Sequence, residues 1–371
     1  LASALDVRAD LTGRSLAEWK QWHGQLFAQL DYADLAGWRA WLDYPIRLDR
    51  ARGGLRFWLG FEDAKIIEAT ADLALADVQA RLAADLPELR LMLLRGRLGA
   101  REARQGGGFF RFSDANRTLG YRVKGQSIEL VPAKGVALPP LDFSLAWDSA
   151  ADPQQSRGDF TASGAELAPF VTLAESLPFP RDIRRILQDA EPRGTLSELG
   201  LAWTGPIEAP TTFTGKGRFG NLALKGDDAR PGFAGLSGTF EATHKGGSVQ
   251  IGGANVLIDY PAVFHAAPRL EFDTLAATIG WTWSGVGSER ALEVKLPGIT
   301  LANRDIEASI TGSWQKKPDA PPLIDITPSV SRTRPNSSRM LTECSPSRSR
   351  TMPIATPMAP FSWSGATAAR N

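Results

Sequence analysis

The sequence predicts a mainly β protein, in which a long antiparallel meander forms one twisted sheet with a few short helices. Two observations lead to this prediction. Apolar and polar residues alternate in many separate runs, and this period of two places apolar side chains on one face of a strand. Turn signals containing glycine or proline separate the runs, as at Lys245–Gly247, Gly252–Gly253 and Pro297–Gly298.

In chain order, the strongest alternating runs begin at Leu55, Leu141, Leu199 and Leu275. Their apolar members are, in turn, Leu55, Phe57, Leu59 and Phe61; Leu141, Phe143, Leu145 and Trp147; Leu199, Leu201 and Trp203; and Leu275, Ala277, Ile279, Trp281 and Trp283. Most residues between them are polar or small, so we expect each strand to have one apolar and one polar face.

Helical patterns are few in this sequence. Short helices are predicted near residues 34–43, 77–86 and 165–190. The third segment is expected to hold a helical pair, because Ile183, Ile186 and Leu187 follow helical spacing and Pro192 with Gly194 marks a stop.

The C-terminal residues 328–371 differ in composition from the rest of the chain. They hold six Arg and one Glu, together with nine Ser, six Pro and the single cysteine, Cys344. No lasting period runs through them, so we predict a disordered tail. The abrupt change also suggests translation in a wrong reading frame after about Ile326, which leaves residues 1–327 as the folded region.

The composition excludes several classes of protein. The net charge of +1 gives no basic excess for nucleic-acid binding. Residues 1–327 contain no cysteine, which excludes disulfides and cysteine-ligated metal sites there. No apolar run of about 18 residues is present, so no membrane-spanning helix is predicted in this sequence.

Motifs that carry chemistry are weak or absent. Gly215–Gly220 fits the glycine pattern of dinucleotide sites, but a strand-like run follows where a helix is required, so a β-hairpin is predicted instead. The three histidines lack metal-ligand spacing, Asp227–Asp228 fits a solvated turn better than a cation site, and no nucleophile elbow occurs. We therefore predict no catalytic residues, no metal and no cofactor.

The eleven tryptophans are the one unusual feature of the composition. Stacking on sugars is one use of such residues. Trp147, Trp203, Trp281 and Trp283, however, fall in step with aliphatic residues on apolar strand faces, which favours a core or the lining of a groove.

Three stretches resemble the AsmA-like envelope proteins, and most closely the YhdP group. They are GQLFAQLDYADLAGWRAWLDYP at Gly24–Pro45, the segment from GLRFWLGFEDAKI to LPELRLMLLRGRLGARE at Gly54–Glu102, and the segment from LSGTFEATHKGG to LAATIGWTW at Leu236–Trp283. The similarity covers roughly residues 14–327. It depends on the order of several moderately specific patterns.

This resemblance implies a non-enzymatic envelope protein anchored in the inner membrane by an N-terminal helix that this sequence lacks, so the chain is expected to be a fragment. It implies a periplasmic body formed by a curled, taco-shaped β-groove with an apolar lumen, an architecture that TamB-like relatives share. The implied role is phospholipid transport between the inner and outer membranes and support of the outer-membrane barrier. Phospholipid and components of both membranes are the implied partners.

The clearest strands supply the hypothetical groove lining. It comprises Leu141, Phe143, Leu145, Trp147, Leu199, Leu201, Trp203, Ile279, Trp281 and Trp283. Two alternatives stay open. The same side chains would form a sealed core in a structural β-rich scaffold or adhesin, and an enzyme acting on sugar polymers would use the tryptophans with scattered acidic residues.

Overall fold

β-Strands form most of the part of the chain that the computed structural model describes, namely residues 3–40, 46–63, 65–102, 120–177, 179, 181–207, 209–227, 230–259, 269–285, 289–318 and 320–333. The strands are β1 (Leu5–Thr12), β2 (His23–Asp34), β3 (Arg47–Glu62), β4 (Lys65–Arg81), β5 (Leu89–Glu102), β6 (Gly120–Pro132), β7 (Leu138–Asp148), β8 (Arg157–Glu166), β9 (Arg193–Thr204), β10 (Thr212–Leu224), β11 (Gly232–Thr243), β12 (Gly246–Asp259), β13 (Arg269–Ser284), β14 (Ala291–Ala302), β15 (Ile306–Lys316) and β16 (Leu323–Thr333). Helices α1 (Ala168–Leu173) and α2 (Arg181–Ala190) lie between β8 and β9, and short 3-10 helices occur at Leu16–Gln21, Leu35–Ala40 and Pro153–Gln155.

The described strands form one open sheet whose strand order, β1 to β16, is the order along the chain. Every strand pair with a resolved register is antiparallel. A tight turn joins β11 to β12, where the Thr243 hydroxyl accepts a hydrogen bond from the Lys245 amide at 3.2 Å. The predicted mainly β antiparallel meander is therefore confirmed.

The chain divides into two compact units. The first comprises Leu1–Gln188 with Glu198–Thr211, and the second comprises Asp189–Ser197 with Thr212–Asn371. The first unit holds two clusters of buried apolar residues, one on β3, β4, β5 and α1 and the other on β7 and β8. The second unit holds a cluster built around Phe219, Leu236 and Val256.

The short helices are only partly where the sequence predicts them. Leu35–Ala40 is a 3-10 helix within the predicted segment 34–43, and residues 41–45 lie outside the described residues. The segment predicted to hold a helical pair contains α1 and α2, although β8 continues to Glu166. The helix predicted at 77–86 is wrong, because these residues form the end of β4 and the turn that follows it.

Strand β10 corrects a second detail, since Gly215–Gly220 lies inside one continuous strand instead of at a hairpin turn. The predicted disorder of residues 328–371 is wrong for residues 328–333, which belong to β16. Pro328 is compatible with this strand because β16 is the last strand of the described sheet, where one edge needs no amide donor. The remaining tail lies outside the described residues.

Candidate functional site

A continuous apolar face crosses the first eight strands, because their register places apolar residues opposite one another on every strand. We call one line of residues across the strands the Leu145 row. It consists of Ala9, Leu26, Leu59, Ala69, Ala100, Val123, Leu145 and Phe160. No polar side chain interrupts this row from β1 to β8.

A parallel line on the same face, the Phe143 row, lies two residues away along each strand. It consists of Val7, Ala28, Phe57, Ala71, Leu98, Gly125, Phe143 and Ala162. The two rows share a face because residues i and i+2 of a strand point to the same side. Together they form an apolar strip across eight strands.

The side chains of the Leu145 row are only half-buried, and Ala9 at its start is exposed. In a sealed core such residues would be buried. Leu75 and Leu91, in the cluster on β3, β4 and β5, are buried in this way. The strip therefore keeps apolar surface accessible to a ligand within the first unit.

Helix α1 covers one end of this face. Leu173 is only 2 % exposed and packs with buried residues of three strands, among them Ala51, Leu75 and Leu91. Next to the helix, the Ser176 hydroxyl donates a hydrogen bond to the Glu88 carbonyl at 3.5 Å. The apolar face thus has a covered end beside α1 and a half-exposed part along the Leu145 row.

Two aromatic rings, one in the strip and one on β9, pack against glycines of neighbouring strands. A Cβ atom at Gly125 would lie 2.2 Å from the Phe143 ring, and one at Gly158 would lie 2.1 Å from the Trp203 ring. Trp203 also contacts Trp147, with ring centroids 6.1 Å apart. Glycine at these positions lets the large rings approach the backbone closely.

The second unit repeats this arrangement along β10 to β16. One row, the Trp281 row, consists of Gly215, Ala242, Gly247, Trp281, Val294, Trp314 and Ile324. A second row on the same face consists of Phe219, Gly238, Ile251, Ala277, Ile299, Ile310 and Pro328. Each unit therefore has its own uninterrupted apolar face.

The structure distributes the predicted lining residues over both units. Leu141, Phe143 and Leu199 pack in one cluster, in which Leu141 is covered at 8 % exposure. Leu145 stands in the half-buried row, and Leu201 is 38 % exposed. Trp147 and Trp203 contact each other. Half-buried Ile279, Trp281 and Trp283 belong to β13 of the second unit.

Sequence reasoning missed several members of the face. Val123 and Phe160 flank Leu145 in the Leu145 row. Strands β5, β6 and β8 each have alanine or glycine in one of the two rows, which weakens the apolar alternation of their sequences. The useful signal was the glycine that precedes an aromatic residue by two positions, as in Gly158 and Phe160.

The opposite face of the first unit is polar and charged. Asp72 on β4 accepts hydrogen bonds from Nε and Nη2 of Arg97 at 2.5 and 2.8 Å. The Arg97 hydrogen bond holds the pKa of the Asp72 carboxyl below its ordinary value. Arg97 also lies 5.4 Å from the ring centroid of Trp58, which contacts Phe27 on the same face.

The YhdP protein family matches residues 1–339 of the chain. The chain belongs to the YhdP family. YhdP proteins are cell-envelope proteins, so the structure shows how a part of such a protein is built from a meandering sheet. No curated protein and no solved structure matches this YhdP chain.

Within the described residues, no helix has the length and apolar character needed to cross a membrane. The same part of the chain holds no group of three or more His, Cys, Asp or Glu residues arranged to bind a metal ion.

Proposed function

We propose that this chain is a non-enzymatic, periplasmic part of the envelope that shelters lipid acyl chains along its apolar face. In this role it contributes to phospholipid transport between the inner and outer membranes and to the outer-membrane barrier. The observation that supports the proposal most directly is the Leu145 row, in which eight strands present apolar residues without interruption, half-buried from β2 to β8. An inner-membrane anchor outside this sequence belongs to the same proposal.

The energetics of a phospholipid explain why such a face is needed. Its acyl chains contain roughly 30 methylene groups, and each costs about 0.8 kcal/mol in water. Carrying one lipid uncovered through the periplasm would therefore cost about 25 kcal/mol. A face that stays apolar from strand to strand keeps the chains covered, and no catalytic group or cofactor is required for this.

Photo-crosslinking in cells tests the proposal directly. A photoreactive residue replaces Leu145 or Trp281 in the full-length protein, and lipid attached to the purified protein is measured after irradiation. Matched controls carry the same residue at Ser144 or Thr282, the neighbouring positions on the opposite strand faces. We expect phospholipid adducts from the two apolar positions and at least several-fold fewer from the controls. Equal yields from both faces, or no lipid from either, would refute acyl-chain binding.

A structural scaffold with a sealed core is the second candidate function. The buried cluster under α1 favours it, because Leu48, Val78 and Leu89 are only 7 %, 5 % and 8 % exposed and offer a ligand little apolar surface. The same crosslinking experiment separates the two functions, since a scaffold gives no lipid adduct at Leu145.

A further inference from the structure

A basic depression of about 470 Å³ lies on the face of β4, β5 and β6 that carries Arg97 and Lys124. Four cationic side chains line it, but only one carboxylate does, that of Glu68. The cationic residues are Arg97, Arg101, Arg122 and Lys124.

Gly99 forms the floor of the basic depression. On this face it pairs with Thr70 of β4 and with Lys124 of β6. A Cβ atom at Gly99 would meet only the Thr70 hydroxyl, at 3.5 Å, so the space above the glycine is open. Arg97 and Arg101 flank this space from the same strand.

The charges around the depression are only partly balanced. Arg101 stands directly opposite Arg122 in the strand register, and like charges in this position repel each other. Glu68 is 4.0 Å from Arg101, and Arg122 donates to both carboxylate oxygens of Asp148, at 3.2 and 3.4 Å. Among the described residues, no ion pair joins Lys124 to a carboxylate.

Two of the four cations are therefore poorly compensated. They are Arg101 and Lys124, because Arg97 and Arg122 each donate two hydrogen bonds to one carboxylate, that of Asp72 and that of Asp148. An anion placed over Gly99 would separate the Arg101 and Arg122 guanidinium groups and supply a partner for Lys124.

We infer that Arg101, Arg122 and Lys124 bind a phosphoryl-bearing anion above Gly99. A phosphoryl group carries two or more acceptor oxygens and between one and two negative charges, which match guanidinium forks and one ammonium group. The ligand is either a free phosphorylated molecule or the headgroup of an anionic lipid in a membrane surface. The inference does not depend on the lipid-sheltering function, because this site lies on the other face of the strands.

Two binding experiments test the site and distinguish the two sources. Calorimetry measures binding of inorganic pyrophosphate to the full chain, and flotation measures binding to phosphatidylglycerol vesicles, with phosphatidylcholine vesicles for comparison. We expect Lys124→Gln and Arg101→Gln each to weaken binding about tenfold, because each removes a charge-assisted contact. Gly99→Leu, which fills the floor, is expected to have a similar effect.

The control is Lys295→Gln on β14, an exposed lysine with 68 % of its side chain accessible. Pyrophosphate binding that these site variants weaken supports a soluble phosphorylated ligand. Binding only to phosphatidylglycerol vesicles, lost in Lys124→Gln, supports a lipid headgroup. No binding of either probe, or equal weakening by Lys295→Gln and Lys124→Gln, would overturn the inference.

Discussion

The indole ring of Trp203 occupies the space that any side chain at Gly158 would need, with a hypothetical Cβ atom 2.1 Å from its Cε2. Gly158 is also the β8 partner of Trp147, so the contact between the two tryptophans depends on this glycine. We expect Gly158→Ala to displace the indole and to lower the free energy of unfolding by about 1–3 kcal/mol. Urea unfolding followed by tryptophan fluorescence measures both effects.

Gly252→Ala is the matched control, because no atom lies within 4 Å of a Cβ placed there. Its free energy of unfolding should change by less than about 1 kcal/mol, because the only effect of the new methyl group is on the entropy of the unfolded chain. Equal unfolding midpoints for both variants would contradict the close packing of Trp203 on Gly158.

A charge on the apolar strip should impair lipid sheltering. Leu145 lies between Val123 and Phe160 in the half-buried row, and Leu145→Arg places a guanidinium there. We expect the full-length Leu145→Arg protein to lose barrier function, measured as increased entry of a bulky antibiotic into cells. Normal protein abundance in the same cells shows that the loss does not come from unfolding.

The control for this effect is Thr161→Arg, which adds the same charge to the exposed, polar face of β8. It should leave the outer-membrane barrier intact. If Leu145→Arg also leaves it intact, or if both variants impair it equally, the apolar strip is not the route for lipid.

The ion pair between Asp72 and Arg97 should make stability depend on pH. The pKa of Asp72 is lowered in the folded protein, mainly by the hydrogen bond from Arg97, so its stabilising effect is present above the unfolded pKa and is lost as pH falls. Asp72→Asn should therefore destabilise the protein at pH 7, by no more than about 1 kcal/mol because the pair is on the surface. The difference should shrink as the pH falls below about 4.

A double-mutant cycle with Arg97→Gln isolates this pair from other effects of the substitutions. Urea unfolding at pH 7 and pH 3 gives the coupling energy at each pH. A coupling energy that is the same at both pH values would show that ionised Asp72 contributes nothing through Arg97.

The presence of the strands was predictable from the sequence because the alternation of apolar and polar residues is a local pattern. The run from Leu275 to Ser284 lies within β13, and the run from Leu55 to Phe61 lies within β3. The helix predicted at 77–86 was wrong because helical spacing in a short apolar run does not exclude a strand. In the structure, Ala80 pairs with Leu48 and Leu89, and this non-local pairing decides its conformation.

The continuity of the apolar rows could not be predicted, because it depends on the register between distant strands. A shift of one residue would have turned Val123 away from Leu145 and brought polar side chains into the row. The contacts on the polar face could not be predicted either, since Phe27 and Trp58 pack together there despite their apolar character. Their contacts with Arg8 and Arg97 depend on the pairing of β1 through β5.

The covered end of the apolar face depends on α1. Leu173 is 2 % exposed and packs into the cluster on β3, β4 and β5, so Leu173→Ala should lower the free energy of unfolding by about 2–5 kcal/mol. Leu201→Ala is the control, because that side chain is 38 % exposed and its truncation should cost less than about 1 kcal/mol. Urea unfolding measures both values. Because α1 shields Leu75 and Leu91, the Leu173→Ala protein should also bind more of a fluorescent apolar dye, and unchanged dye binding would mean that the helix does not cover the strands in solution.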